Sequence, residues 1–240
     1  MSPKGYRPES RHESMIPYQP KNFVNPVRDI KPFAATSSTE GHMLCITWLL
    51  NTQPFSPMME LAWSVLDSLL LEKTSSPLRK ALEDSNLGEQ IIGDGLGTGL
   101  LQWTFAAGMK GVKSRDDVAA LEELTIQTLE KLGSDGFGEI EVASAVNTLE
   151  FKLREGGGGL RGIDILEGAM SKWTYDLDPK DGLVYENALI LLKDEINKRG
   201  SSLFRQMIRE SLLENNHRVV LELLPSSTLA DEQAQVRCKE

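Results

Sequence analysis

The side chains that could do chemistry in this chain are few and badly spaced for it. There are three histidines, His12, His42 and His217. A helix-borne zinc site places two histidines on adjacent turns, four residues apart. Four residues after each histidine stand Ile16, Ile46 and Leu221, so no such pair exists. Catalytic zinc needs about three protein ligands and an open position for water. Cys45 and Cys238 are too far apart in sequence to suggest a ligand pair and read as two reduced thiols, since disulfide frameworks belong to small secreted chains. Only a cluster of Asp and Glu drawn from distant parts of the chain is left as a way to build a metal site. Catalytic, cofactor-binding and metal-ligating residues are therefore each read as none.

Other patterns resolve to structure rather than chemistry. Gly93, Gly95, Gly97 and Gly99 alternate with Asp94, Leu96 and Thr98, which invites a phosphate loop. The dinucleotide pattern needs glycine where Thr98 stands, and no Lys-Ser or Lys-Thr follows. The run also leads into a strand, whereas phosphate loops lead into a helix N-terminus, so it is read as a mobile hairpin turn. Gly156–Gly159 is read as a flexible joint. Glu150 and Arg154 are four apart on one helix face, a stabilising pair. Trp173 and Tyr175 are read as core or interface anchors. Asp135-Gly136 lacks the acidic spacing of a calcium loop.

The elements that would position these residues follow from periodicity and caps. Met43–Asn51 is a strand candidate. Ser56-Pro57 starts a helix, with serine as N-cap and proline at its first position, and Met58, Leu61, Ala62, Val65, Leu66 and Leu69 form its apolar stripe. Ser76-Pro77 repeats the signal. Residues 88–94 and 100–110 suggest a hairpin. Helices are expected over 116–132, from Ser114, and over 139–154, 163–173, 184–198 and 201–214. His217–Leu224 reads as a strand that Pro225 stops. Strand, helix, hairpin, helices and strand make an α+β fold, an antiparallel sheet of about four strands covered by helices. Six of the eleven prolines fall in residues 1–40, so that stretch is expected to be an unstructured, removable arm.

Composition narrows the function classes. The chain has 240 residues, 40% apolar and 25% charged, ordinary for a soluble globular protein. No apolar run approaches the roughly 20 residues that span a bilayer. Net charge is −9, yet residues 1–32 hold six Lys and Arg against three acids. Beyond residue 32 the balance is therefore −12. An acidic body argues against nucleic acid, which needs a basic face. It suits solubility first and basic peptides second. The basic arm is no transit peptide, because its prolines forbid the amphipathic helix that such segments need.

Five strings, taken in order, carry a resemblance: Phe23 to Arg28, Ser75 to Lys80, Ala145 to Glu155, Lys172 to Pro179, and Asn216 to Val219. From about Phe23 to about Asp231 the chain resembles the presequence proteases, organellar members of the pitrilysin/insulinase superfamily of zinc metallopeptidases. Those enzymes hold zinc through H-x-x-E-H in their first domain, which this chain lacks. The resemblance implies the noncatalytic second domain, forming wall and support of a chamber for targeting and other unstructured peptides. It implies residues 1–40 as a displaced linker, 41–225 as the domain and 226–240 as the start of a hinge. It also implies that the preceding strand and helix of the domain are missing, leaving a sheet edge open. Cofactors are none in this chain, with zinc in the full-length enzyme. Partners would be unfolded peptides or the remaining domains, with no nucleic acid and no membrane. The location would be mitochondrial matrix or plastid stroma. The alternative is an independent binding or scaffold protein that has lost catalysis.

Overall fold

The computed structural model describes residues 16–20, 23–35, 41–155 and 161–230. His12, Cys238, the Gly156–Gly159 joint and most of the expected tail lie outside them. The sheet is organised by β2 (His42–Leu49), in which Leu44, Ile46 and Trp48 are buried while Met43, Cys45, Thr47 and Leu49 are half-buried. Such a period of two separates the faces of a strand. β2 is central. It pairs antiparallel with β4 (Thr104–Val112) on one side and with β5 (Arg218–Ser226) on the other. β3 (Gln90–Gly97) adds to β4 as an antiparallel edge. The fifth strand, β1 (Val27–Ala34), lies parallel to β5, giving the order β1-β5-β2-β4-β3.

The expectation of an unstructured arm over 1–40 fails for β1, and the sheet has five strands and one parallel pair rather than four antiparallel ones. Pro32 sits in register with Leu224. An edge strand tolerates proline, because a backbone position that faces away from the sheet needs no N–H for the ladder. The open edge expected beside Met43 is occupied by β5. Strand pairing also corrects the glycine run. Gly93, Gly95 and Gly97 belong to β3 itself, which bulges between Ile92 and Gly95, and the turn follows them. Gly93 and Gly95 have φ of 85° and 67°, a region that glycine enters without steric cost.

The helices are α1 (Pro57–Asp67), α2 (Pro77–Asp84), α3 (Arg115–Asp135), α4 (Glu139–Glu155), α5 (Arg161–Trp173), α6 (Glu186–Arg199) and α7 (Ser202–Ile208). Serine caps begin two of them as the sequence suggests. The hydroxyl of Ser56 accepts from the Met59 amide at 3.3 Å, and that of Ser114 from the Asp117 amide at 3.1 Å. Past α1 the chain widens into a π turn over Ser68–Glu72. Leu69, Leu70 and Leu71 are all buried there, which a regular 3.6-residue period would prevent for three consecutive positions. The Ser76 hydroxyl holds the wide turn by donating to the Ser68 carbonyl at 2.9 Å. A second π turn, Arg209–Leu213, ends α7.

One face of the sheet is covered by these helices. Leu44, Ile46, Trp48, Phe105, Ala107, Met109 and Val220 meet α1, α3 and α7 in a single apolar core. Trp48 is fully buried, and its indole donates to the Leu212 carbonyl at 2.8 Å. Glu222 of β5 points into the same side and is only 2% exposed. Arg115 Nε lies 3.2 Å, Arg28 Nη1 3.6 Å and His42 Nδ1 3.9 Å from its carboxylate. Arg28 also pairs with Glu122 of α3. These contacts join β1, β2, β5 and α3 at one carboxylate.

Two measurements check this account. A chain beginning at Gly41 loses β1 and Arg28, and should melt several degrees below the intact protein by circular dichroism. Glu222→Ala removes the buried carboxylate at which Arg28 and Arg115, themselves largely exposed, converge. At roughly 2 kcal/mol for hydrogen bonds to a charged group, the midpoint should fall by about 5 °C. Glu222→Ala melting like wild type would overturn the clasp.

Candidate functional site: the uncovered face of the sheet

Among the described residues, the helices gather on the core side and leave the opposite face of the sheet without a helical layer. The register aligns Met43, Cys45 and Thr47 of β2 with Leu223, Leu221 and Val219 of β5. On the other side it aligns Cys45 and Thr47 with Gly108 and Ala106 of β4. Side chains alternate along each strand, so these residues share the face turned away from the core. The centre is thus apolar or weakly polar. Charges sit at its margins, Asp29 and Lys31 on β1 and Lys110 on β4. The shortest side chains lie on β4, which lowers the surface along that strand. Gly108 is required there, because a Cβ would fall 1.9 Å from the Leu44 carbonyl oxygen.

Cys45 is the one free cysteine among the described residues. Its sulfur is 3.8 Å from the Thr47 hydroxyl. Burial pushes the thiol's pKa up, opposed by the Thr47 hydrogen bond and reinforced by Asp94. An activated cysteine is shifted the other way, so this face carries a thiol suited to packing.

His217 ends the face beside Leu49, whose amide donates to the His217 carbonyl at 3.1 Å. The Phe23 ring stacks on the imidazole, 4.0 Å between centroids and 5° between planes. Gln19 Nε2 lies 3.3 Å from His217 Nε2, and the Asn216 side chain donates to the Val24 carbonyl at 2.8 Å. The segment ahead of β1 is thereby fastened across one end of the sheet. Gln102 adds to this fastening, donating to the carbonyls of Gln19 at 2.9 Å and Asn51 at 2.7 Å. Nothing in the local sequence signals it, because every partner is remote.

The structure separates the candidate metal ligands. His42 opens β2 beside Glu222, while His217 lies past the other end of β2. At about 3.3 Å per residue the strand keeps them about 20 Å apart. Among the described residues, no three His, Cys, Asp or Glu side chains gather closely enough to hold a metal ion. Glu150 does pair with Arg154, and also with Lys193 of α6. The Lys193 hydrogen bond, first among the causes, holds the Glu150 carboxyl below its usual range. Trp173 is not core: it is 61% exposed on α5. Among the described residues no helix is long and apolar enough to cross a membrane.

Sequence reasoning also missed Asp67. Asp67, at the end of α1, accepts the Leu96 amide at 3.1 Å. It lies so close to Gly95 that a Cβ there would sit 2.1 Å from its Oδ1. Burial pushes its pKa up to about 6, against the Leu96 hydrogen bond. A cavity of about 650 Å³ opens beside it, with Arg79, Glu83 and Glu89 on its walls.

Three comparisons with known proteins agree. The family model described as "Peptidase M16 inactive domain" matches residues 7–149. Over 230 residues the chain is 40% identical to presequence protease 1, chloroplastic/mitochondrial, of Arabidopsis thaliana, covering 93% of this chain and 21% of that protein. It is 28% identical over 180 residues to the mitochondrial presequence protease of Schizosaccharomyces pombe, covering 75% of this chain and 18% of that one. The chain thus spans about a fifth of the length of these curated relatives. In fold it is similar to the inactive peptidase domain of a putative zinc protease from Bordetella parapertussis, with a TM-score of 0.58 at 16% identity. That match covers 81% of this chain and 95% of that one. It is similar also to a predicted insulinase family protease from Yersinia pestis, with a TM-score of 0.55 at 14% identity, over 84% of this chain and 42% of that one.

The Asp67 geometry predicts a pH dependence. With a folded-state pKa raised from 3.8 to about 6, the group favours folding below its unfolded pKa, and that contribution is lost as pH rises through 6. Above pH 7 the buried charge is a cost, so Asp67→Asn should raise the melting midpoint by a few degrees at pH 8. At pH 4 it should give no gain. An equal effect at both pH values would show that the charge is irrelevant.

Proposed function

Because this chain belongs to the peptidase M16 inactive-domain family, we propose that it is the zinc-free wall of a presequence-protease-like metallopeptidase, presenting its uncovered sheet face to unfolded peptides. The observation that carries this is the asymmetry of the sheet. One face is sealed by helices, and the other offers a broad strip of Met43, Cys45, Thr47, Val219, Leu221 and Leu223 with charge only at its margins. An unfolded peptide has apolar side chains to place on such a strip and no fixed shape to obstruct it. Residues 41–225 with β1 are the working unit in this reading, and the remaining domains of the enzyme are its partners.

Catalysis belongs elsewhere in the full-length enzyme. His42 and His217, held apart at opposite ends of β2, do not fit a zinc site. When bound by such an enzyme, zinc activates water for attack on the peptide bond. The present residues are left with binding and support. Their location would be the mitochondrial matrix or the plastid stroma, in keeping with relatives whose names say chloroplastic/mitochondrial or mitochondrial. An independent scaffold protein is the weaker reading, since the apolar strip gives a protein with no chamber nothing to cover it.

The test is site-directed photo-crosslinking. A benzophenone side chain at Thr47, on the uncovered face, should capture an unfolded Arg-rich peptide, whereas the same probe at Gln127 on the outer side of α3 should not. The isolated chain, incubated with zinc, should leave the peptide intact. Crosslinking that favours Gln127, or none at Thr47, sinks the wall reading.

A further inference from the structure

A cavity of about 460 Å³ lies on the helical side of the domain, between α1, the β3–β4 turn and α5. Phe55, Trp103 and Tyr175 line it. Phe55 stands edge-on to Trp103, with ring centroids 5.6 Å apart at 73°. Lys172 of α5 already places a cation at this wall. Its ammonium is 6.0 Å from the Trp103 ring centre and pairs with Glu60 of α1. The Lys172 and Glu60 side chains are 13% and 17% exposed. The surroundings hold more negative than positive charge. Glu167 also lines the cavity. Asp181 is close enough to raise the Glu60 carboxyl, a smaller effect than burial and opposite to that of Lys172. The Lys172 ammonium is thus matched by Glu60, which leaves Glu167 on the wall and Asp181 near Glu60 as further negative charge.

We propose that this cavity is a binding site for a second cationic side chain, an arginine or lysine of a polypeptide, seated against Trp103 and neutralised by Glu167 of its wall, with Asp181 adding to the negative potential. Aromatic faces attract cations, most strongly where water is partly excluded. A guanidinium suits the place best, because it stacks flat on an indole while presenting two parallel donors to a carboxylate. Lys172 shows that a cation is stable against this ring, and the volume beside it remains open. The site is separate from the uncovered sheet face and does not depend on the peptidase reading.

The experiment uses the whole chain and N-acetyl-arginine methylamide, following the Trp103 indole resonance assigned with a Trp103→Phe variant. The expected result is a saturable shift that N-acetyl-norleucine methylamide does not produce. Glu167 and Asp181 are exposed, so Glu167→Gln with Asp181→Asn leaves the fold intact and should weaken the arginine probe about fivefold, the order expected of exposed ion pairs. An equal response to norleucine, no saturable shift, or undiminished binding by the charge-neutral variant would each overturn the site.

Discussion

The Glu222 carboxylate is the constraint on which the sheet depends. A charge buried to 2% exposure is tolerable only when paired and hydrogen-bonded. Its partners all come from the first half of the chain, far from it in sequence: Arg28 from the first strand, His42 from the second, Arg115 from the long helix after the hairpin. Hydrophobic burial alone would let β5 slide along β2, since both strands are apolar on both faces. A slip of one residue would carry Glu222 to the uncovered face and Leu221 or Leu223 into the core. The single carboxylate fixes the register of β5, and β5 in turn fixes the position of β1.

With register set, the two faces take different fates. The face bearing Trp48, Phe105 and Ile46 is closed by α1, α3 and α7. The other keeps medium-sized and small residues, half-buried except for Gly108 and the terminal His217. The strip is continuous across β5, β2 and β4 because each strand contributes alternate residues at matched positions. The fastening of Phe23 and Gln19 to His217 and Gln102 then limits the strip at one end. Binding capacity here arises from what the helices leave uncovered.

Much of this was legible in the sequence, and the exceptions have physical causes. The helices announced themselves through local signals, Ser56-Pro57 and Ser114 as caps and apolar stripes at helical spacing. The apolar run of β2 marked a strand. β1 was hidden because its stability comes from β5, far along the chain, while its own residues include Pro32 and three charges. The bulge in β3 was mistaken for a turn because glycine marks both, and only pairing with β4 tells them apart. The π turn after α1 was invisible for the same reason. It answers to the burial of three leucines and the remote Ser76 hydroxyl, not to any propensity of Ser68–Glu72. The uncovered face was not legible at all, since alternation cannot say which of two apolar sides receives the helices.

The placement of β5 between β1 and β2 has a consequence for how the protein comes into being. β2, β3 and β4 are near neighbours in sequence and can pair early. β1 is made before all of them, yet β5, its partner strand among the described residues, is made after all of them. Closing so long a loop is entropically slow compared with forming local contacts. Throughout synthesis the growing chain therefore presents β2 with one bare flank and β1 with nothing to join. That interval, ended only when Glu222 arrives, is when the nascent protein is most vulnerable to pairing with the wrong strand and has most need of a chaperone.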